Sequence, residues 1–170
     1  MRTKILSVLL VFLISALNIK GQDVNYFQKK PSYKNAMGIG LGFTTGYGLA
    51  YRYTVNKFGV QVNFAPYIND YGKNASISVG LTLLNRIVEG NSSNLYLYFA
   101  NDYLYRKRKN YNGYGLNYDE SEKWNTGIGL GFEFNTKKRV VLNVMGGYAQ
   151  YNSFQMLFFT GELALFYRFN

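Results

Sequence analysis

The chain has 170 residues, the usual length of one domain, and it is rich in Tyr (17), Phe (13) and Gly (18). Hydrophobic residues make up 48% of it, which excludes an intrinsically disordered protein, and its net charge is +10. Since the sequence contains neither Cys nor His, disulfides, thiolate metal sites, catalytic thiols and the commonest general base are excluded, and no metal or cofactor is expected.

The first 21 residues have the features of a secretory signal peptide. Arg2 and Lys4 precede an apolar run from Ile5 to Leu17, and these 13 residues are too few for a bilayer-spanning helix, which needs roughly 20. Cleavage after Gly21 leaves 16 basic against 9 acidic residues, a net charge of +7. Residues 22–35 are then a short polar lead-in to a domain that covers residues 36–170. An uncleaved helical anchor is the alternative.

From residue 36 onward, apolar side chains recur at every second position. In residues 58–66, for example, every even-numbered residue is apolar and every odd-numbered residue is small or polar. This period is typical of β-strands whose two faces meet different surroundings. Eight such segments are predicted, over residues 38–44, 47–55, 58–66, 76–86, 95–105, 124–134, 140–148 and 159–169, and the fifth is interrupted by Asn101 on its apolar face.

Eight two-sided strands predict a closed barrel, either soluble with its apolar face inward or membrane-spanning with that face outward. The second face favours the membrane-spanning barrel, because it is rich in Gly, Ala, Ser and Thr rather than in the Lys and Glu of a water-facing surface. Strands of about ten residues also have the length that a tilted membrane crossing needs. We therefore predict an all-β, eight-stranded antiparallel transmembrane barrel. A few charged residues fall on its inner face: Arg52, Arg86, Asp102, Glu133, Glu162 and Arg168.

The lengths of the links between strands predict the orientation. The second, fourth and sixth links are compact, at residues 55–57, 89–94 and 135–138, which is typical of periplasmic turns. The odd-numbered links include the longest, residues 106–123, which is predicted to be an external loop. The first link, residues 44–46, is unusually short for one. Both termini are then periplasmic.

The chain resembles the small eight-stranded outer-membrane barrels of Gram-negative bacteria, the OmpA/OmpX-like group, over about residues 38–169. The most specific feature is the last strand, in which Leu163, Leu165, Tyr167 and Phe169 alternate toward an aromatic end. The resemblance implies that the outer-membrane insertion machinery recognises this strand. It also implies an integral outer-membrane location, and it carries no catalytic residues.

Two inner-face carboxylates, Glu133 and Glu162, superficially resemble a general acid/base pair. The same interior is predicted to hold Arg52, Arg86 and Arg168, and charges removed from water must be paired to be tolerated. An internal salt-bridge network is therefore the favoured interpretation. It leaves a filled lumen that does not conduct ions, because eight strands enclose little more than their own side chains.

A glycine-rich hexapeptide occurs twice, at residues 38–43 and 127–132, each reading Gly-Ile-Gly-Leu-Gly-Phe. Nucleotide binding is rejected, because that motif needs its third glycine three residues after the second, at the start of a helix. These glycines are instead interpreted as small inward residues that leave room for Arg and Tyr side chains from facing strands.

The long fifth link begins with a basic patch, Arg106, Lys107, Arg108 and Lys109, and continues with tyrosines and the acidic Asp119, Glu120 and Glu122. Lipopolysaccharide phosphates are the expected counter-ions at the outer leaflet, and nucleic acid is not an expected partner. The alternative is a solvated loop partly neutralised by its own acids.

The function favoured by these features is that of a structural or interaction barrel, either free-standing or an accessory subunit of a larger envelope complex. A narrow solute channel is disfavoured by the expected barrel diameter. A lipid-modifying enzyme is disfavoured by the absence of His, and we predict no enzymatic activity.

Overall fold

The computed structural model describes residues 33–69, 74–90, 92–112, 115–135, 139–153 and 155–170. The predicted signal peptide, residues 1–21, and all but the end of the lead-in lie outside this part of the chain. No helix among the described residues is long and apolar enough to cross a bilayer.

Eight antiparallel strands follow one another around a closed barrel, each pairing with its neighbours in sequence, and the last pairs with the first. The fold predicted from the alternating pattern is therefore confirmed. The strands are β1 Asn35–Gly42, β2 Gly46–Val55, β3 Phe58–Asn69, β4 Asn74–Glu89, β5 Ser93–Asn112, β6 Gly115–Asn135, β7 Val140–Tyr151 and β8 Met156–Phe169.

The wall is apolar on its outside, whereas its inside holds buried polar and charged side chains among small and apolar ones, the inverse of a soluble barrel. Along β3, the outward Phe58, Val60 and Val62 are exposed, whereas the inward Gln61 and Asn63 are fully buried. The same inversion holds on the other strands, where large exposed side chains such as Ile39, Leu81, Ile128 and Leu163 all point outward. An exterior of this kind is suited to lipid rather than water.

Asn101, the residue that interrupts the apolar face of β5, has a partner on the same face. It stands opposite Thr126 of β6, and its side-chain Nδ2 donates to Thr126 Oγ1 at 2.8 Å. A polar pair that satisfies itself is tolerated on an apolar wall, because neither group is left without a hydrogen bond.

The prediction that residues 106–123 form a loop is wrong. The strands β5 and β6 continue through this region as a paired hairpin that reaches Asn112 and Gly115. Alternation in hydropathy marks a strand only where its two faces differ in polarity, and both faces are polar here. Cross-strand pairing, which includes Lys107 opposite Glu120 and Arg108 opposite Asp119, extends the ladder instead.

Candidate functional site: the barrel interior and its mouth

The end of the interior at which β1 begins and β8 ends is organised around the carboxylate of Glu133. Arg52 Nη1 donates to Glu133 Oε2 at 2.9 Å, and Arg168 Nη2 binds Oε1 of the same group. Asn94 Nδ2 and Tyr96 OH also donate to Oε1, at 2.7 and 3.2 Å. The carboxylate is thereby paired with two cations and hydrogen-bonded twice more, as a buried charge requires.

A second carboxylate, Glu162, joins this cluster through amides rather than directly. Gln61 Oε1 accepts from Arg52 Nε at 3.0 Å, and Gln61 Nε2 donates to Glu162 Oε1 at 3.2 Å. Asn143 Nδ2 adds a contact of 3.4 Å to the same oxygen, and Asn63 accepts from Gln61 at 2.9 Å. The interior therefore contains one continuous polar network that runs from Arg168 to Asn63.

The buried amides of this network were placed on the inner face by the alternation but were given no role by it. Their residue type could have indicated a role, since Gln61, Asn63 and Asn143 occupy an inner face that is otherwise rich in Gly, Ala and Ser. An amide carries both donors and acceptors, so it links a guanidinium to a carboxylate that lies too far away to pair directly.

Two of the six predicted interior charges lie apart from the network. Asp102 lies toward the other end of the barrel, where Ser78 Oγ donates to it at 2.9 Å. Arg86 lies at the rim near the termini, where it binds the Asn56 carbonyl and pairs with Glu89 at 3.4 Å. The pairing register shifts between Arg86 and Val88, and this irregularity ends the strict alternation on which the prediction depended.

Residues 44–46, expected to form a short external link, fold into the barrel instead. We call them the inward turn. Thr44 and Thr45 are each 1% exposed, and Thr44 Oγ1 shares a hydrogen bond of 3.0 Å with Thr160 Oγ1. Asn63 Nδ2 donates to the Gly46 carbonyl at 3.2 Å. The inward turn therefore lies across the lumen, on the side of the polar network that is nearer to Asp102.

Glycines on the opposite wall make room for the inward turn. A Cβ added at Gly80 would lie 1.8 Å from the Thr45 carbonyl oxygen, and one added at Gly127 would lie 2.6 Å from Thr44 Oγ1. The interpretation that the repeated glycines leave room for Arg and Tyr side chains is thus wrong, because the atoms nearest to a Cβ added at these glycines belong to the backbone or to Asn, Ala, Thr, Glu and Met side chains. Periodicity shows that a residue faces inward but not which element meets it there.

The basic patch lies on strand β5 and is divided between its two faces. Arg106 and Arg108 share the inward parity of Asp102, so they face the barrel mouth, whereas Lys107 and Lys109 share the outward parity of Phe99. Lys107 Nζ binds Glu120 at 3.1 Å and lies 4.8 Å from the centre of the Tyr118 ring. The Glu120 carboxylate raises the pKa of Lys107 above its ordinary value.

The residues of the predicted insertion signal form the outer face of the closing strand. Leu163, Leu165 and Tyr167 are exposed, and the Tyr167 hydroxyl accepts from Arg139 Nη1 at 3.0 Å. Phe169 is half-buried and stands opposite Asn35 of β1. This strand therefore completes the wall.

No protein-family model matches the chain, and no curated protein matches its sequence. Among solved structures, it is similar to the N-terminal β-barrel domain of Pseudomonas aeruginosa OprF, with a TM-score of 0.51, 12% identity, and coverage of 79% of this chain and 95% of that one.

Two further matches have lower TM-scores. Ail, the attachment invasion locus protein of Yersinia pestis, has a TM-score of 0.45 at 19% identity, with 79% of this chain and 96% of that one covered. Neisserial surface protein A has a TM-score of 0.42 at 14% identity, with 79% and 92% covered. The likeness to the OprF domain, together with the closed eight-strand order, establishes the fold as that of the small outer-membrane β-barrels.

Proposed function

We propose that this protein is an integral outer-membrane barrel of a Gram-negative bacterium, closed to ions, that acts as a structural or interaction protein or as an accessory subunit of an envelope assembly. The continuous apolar exterior supports the membrane location, because a water-facing wall of this composition would aggregate. Recognition of β8 by the insertion machinery belongs to the same proposal.

The observation that carries the closed lumen is the inward turn. It lies above a salt-bridged network and reaches the inner faces of β4 and β6, where Gly80 and Gly127 accommodate it. Eight strands enclose a space that side chains can fill, and here backbone fills it as well. This arrangement supports a lumen without a continuous aqueous path.

The orientation with both termini in the periplasm is supported by the uneven strand lengths. The longest strands, β5 and β6, have 20 and 21 residues and form a hairpin at the end away from the termini. Long extensions are typical of the cell-exterior side of such barrels. The β5–β6 hairpin is then the principal surface for contact with partners or with the anionic headgroups of lipopolysaccharide.

Conductance in planar bilayers tests the closed lumen. We expect the purified full chain, inserted into lipid, to give no stable single-channel steps, and an open barrel of the same size gives the positive control. Reproducible steps from the wild-type protein would overturn the proposal and favour the narrow solute channel.

The variant Glu162→Ala tests two roles of the polar network separately, namely whether it stabilises the barrel and whether it closes the lumen. The change removes an acceptor of Gln61 and Asn143 from a buried site, so the midpoint of urea unfolding in lipid vesicles is expected to fall. Conductance should remain absent, because the inward turn still lies across the lumen. Stable currents from this variant would show that the network alone closes the barrel.

A further inference from the structure

Among the described strands, the wall of the barrel is lowest where β1 meets β2. The strand β1 ends at Gly42, opposite Glu162, so residues 156–161 of β8 continue past it. On the other side, the pairing of β2 with β3 ends at Leu49 opposite Phe64, so residues 65–69 of β3 continue past β2 and pair only with β4. We call the opening between these two free edges the notch. It lies across the barrel from the β5–β6 hairpin.

The edges of the notch are poorly suited to adding another strand. Pro66 lies on the free stretch of β3 and has no N–H to donate. On β8, the Phe159 carbonyl accepts from the Tyr151 hydroxyl at 2.8 Å, and the Gly161 carbonyl accepts from Phe43 N at 3.3 Å. A strand from a partner would find several of its hydrogen-bond positions missing or occupied. The notch is therefore suited to an occupant without backbone groups.

The notch opens into a cavity of about 480 Å³ above the inward turn, within the usual range for ligand sites. On the notch side, its lining includes the apolar Leu41, Phe43 and Met156. Asn125 lies at its base and donates to the Phe43 carbonyl at 3.4 Å. A molecule that entered from the membrane would therefore meet hydrocarbon first and polar groups further in.

The far side of the cavity has two cations, Arg106 and Lys123. Unlike Lys107 and Arg108, which stand opposite acids, Arg106 stands opposite Ser121 and Lys123 opposite Leu104. One acid, Asp102, lines the same cavity, so two cations face one carboxylate and the cavity has an excess of positive charge. Arginine and lysine together are well suited to a phosphate group.

We propose that the notch and its cavity bind a phospholipid-type amphiphile from the outer leaflet, with an acyl chain along Leu41, Phe43 and Met156 and its phosphate at Arg106 and Lys123. This inference rests on the proposed membrane location. It gives the barrel a specific lipid site, and it assigns that site a charged end and an apolar end.

Photo-crosslinking tests the proposal. The full chain is placed in phosphatidylcholine nanodiscs that contain a trace of phosphatidic acid with a diazirine on its acyl chain, and labelled peptides are identified by mass spectrometry. We expect label concentrated on residues 41–43 and 156–159. A diacylglycerol probe with the same chain, which lacks the phosphate, should label them weakly, and excess inorganic phosphate should not displace the phosphatidic acid.

The double variant Arg106→Ala/Lys123→Ala should reduce this labelling by about tenfold, since it removes two charged hydrogen-bond partners. Lys34→Ala/Lys57→Ala removes the same charge from exposed sites at the opposite end and should leave labelling unchanged. Label spread evenly around the wall, or unaffected by the double variant, would overturn the lipid site while leaving a closed membrane barrel intact. Failure of the chain to enter the nanodisc would overturn the membrane proposal and this one together.

Discussion

Individual buried charges in this barrel are satisfied by several partners at once. Glu133 accepts from Arg52, Arg168, Asn94 and Tyr96, and Arg52 also stacks on the Phe166 ring at 4.3 Å. Removing one member of such a group takes a hydrogen-bond partner away from several buried groups at once. The cost of that loss exceeds the net benefit of the intact pair.

The variant Glu133→Ala is therefore expected to lower the free energy of unfolding by about 3–5 kcal/mol, because it leaves two arginine side chains without their shared acceptor. The measurement is urea unfolding in lipid vesicles followed by tryptophan fluorescence. Glu89→Ala is the matched control, since Glu89 also pairs with an arginine but is half exposed, and its effect should stay within about 1 kcal/mol. Equal effects of the two variants would contradict a buried network.

A glycine next to the inward turn gives a second prediction at this scale. Gly80→Ala places a Cβ 1.8 Å from the Thr45 carbonyl oxygen, so the turn must shift, and we expect faster amide hydrogen exchange at residues 45–47. Gly146→Ala is the control, because its nearest contact is the Thr160 carbonyl oxygen at 3.9 Å. Unchanged exchange in both variants would mean that the turn does not lie against β4.

Among the elements, the β5–β6 hairpin differs most from the expectation of a loop. It continues beyond the apolar wall, where cross-strand pairs such as Lys107 with Glu120 replace burial as the stabilising interaction. Such exposed pairs are individually weak, but a run of them in one register keeps two polar strands aligned. The acidic residues of β6 thereby neutralise part of the basic patch. On its outward face Lys107 is paired with Glu120, whereas on its inward face Arg106 lies at the barrel mouth.

The ion pair between Lys107 and Glu120 predicts the pH at which Lys107 loses its proton. The side-chain hydrogen bond to Glu120 raises the pKa of Lys107, so the stabilisation it provides is complete below the ordinary lysine pKa and is lost as pH rises through the raised value. NMR titration of lysine side-chain carbons should show Lys107 deprotonating at a higher pH in the wild type than in the Glu120→Gln variant. Equal titration of Lys107 in the two proteins would contradict the pair.

At the scale of the whole molecule, the barrel presents lipid-facing and water-facing surfaces at defined depths. The lone tryptophan, Trp124, points outward on β6 and packs against Tyr103 with 5.0 Å between ring centres, at the level where the wall gives way to the polar hairpin. Aromatic side chains favour this boundary because their rings prefer the membrane interface.

Trp124 therefore reports the depth of insertion. We expect lipids brominated near the headgroup to quench its fluorescence more than lipids brominated near the chain end, and aqueous acrylamide to quench it weakly. Strong quenching by acrylamide with none by either brominated lipid would show that the wall is in water.

The features of the fold that could be predicted are those that depend on residues close together in sequence. The alternation of residues such as Val60, Gln61 and Val62 determined the strands, their inner and outer faces and the closed eight-stranded fold, because a pleated strand turns each neighbour to the opposite side. It also placed Arg52, Glu133, Glu162 and Arg168 on the inside. Their pairing into one network needed the closed barrel, which brings residues of β2, β6 and β8 within reach of one another.

Only the tertiary structure decided where backbone enters the lumen and where the wall is low. The path of residues 44–46 depends on space at Gly80 and Gly127, which are distant in sequence, and the notch depends on unequal lengths of strands that meet only on closure. Likewise, the β5–β6 hairpin is held by pairing between two polar segments that hydropathy cannot distinguish from a loop. The sequence by itself determined which side of each strand faces lipid, and closure of the barrel determined what those sides meet.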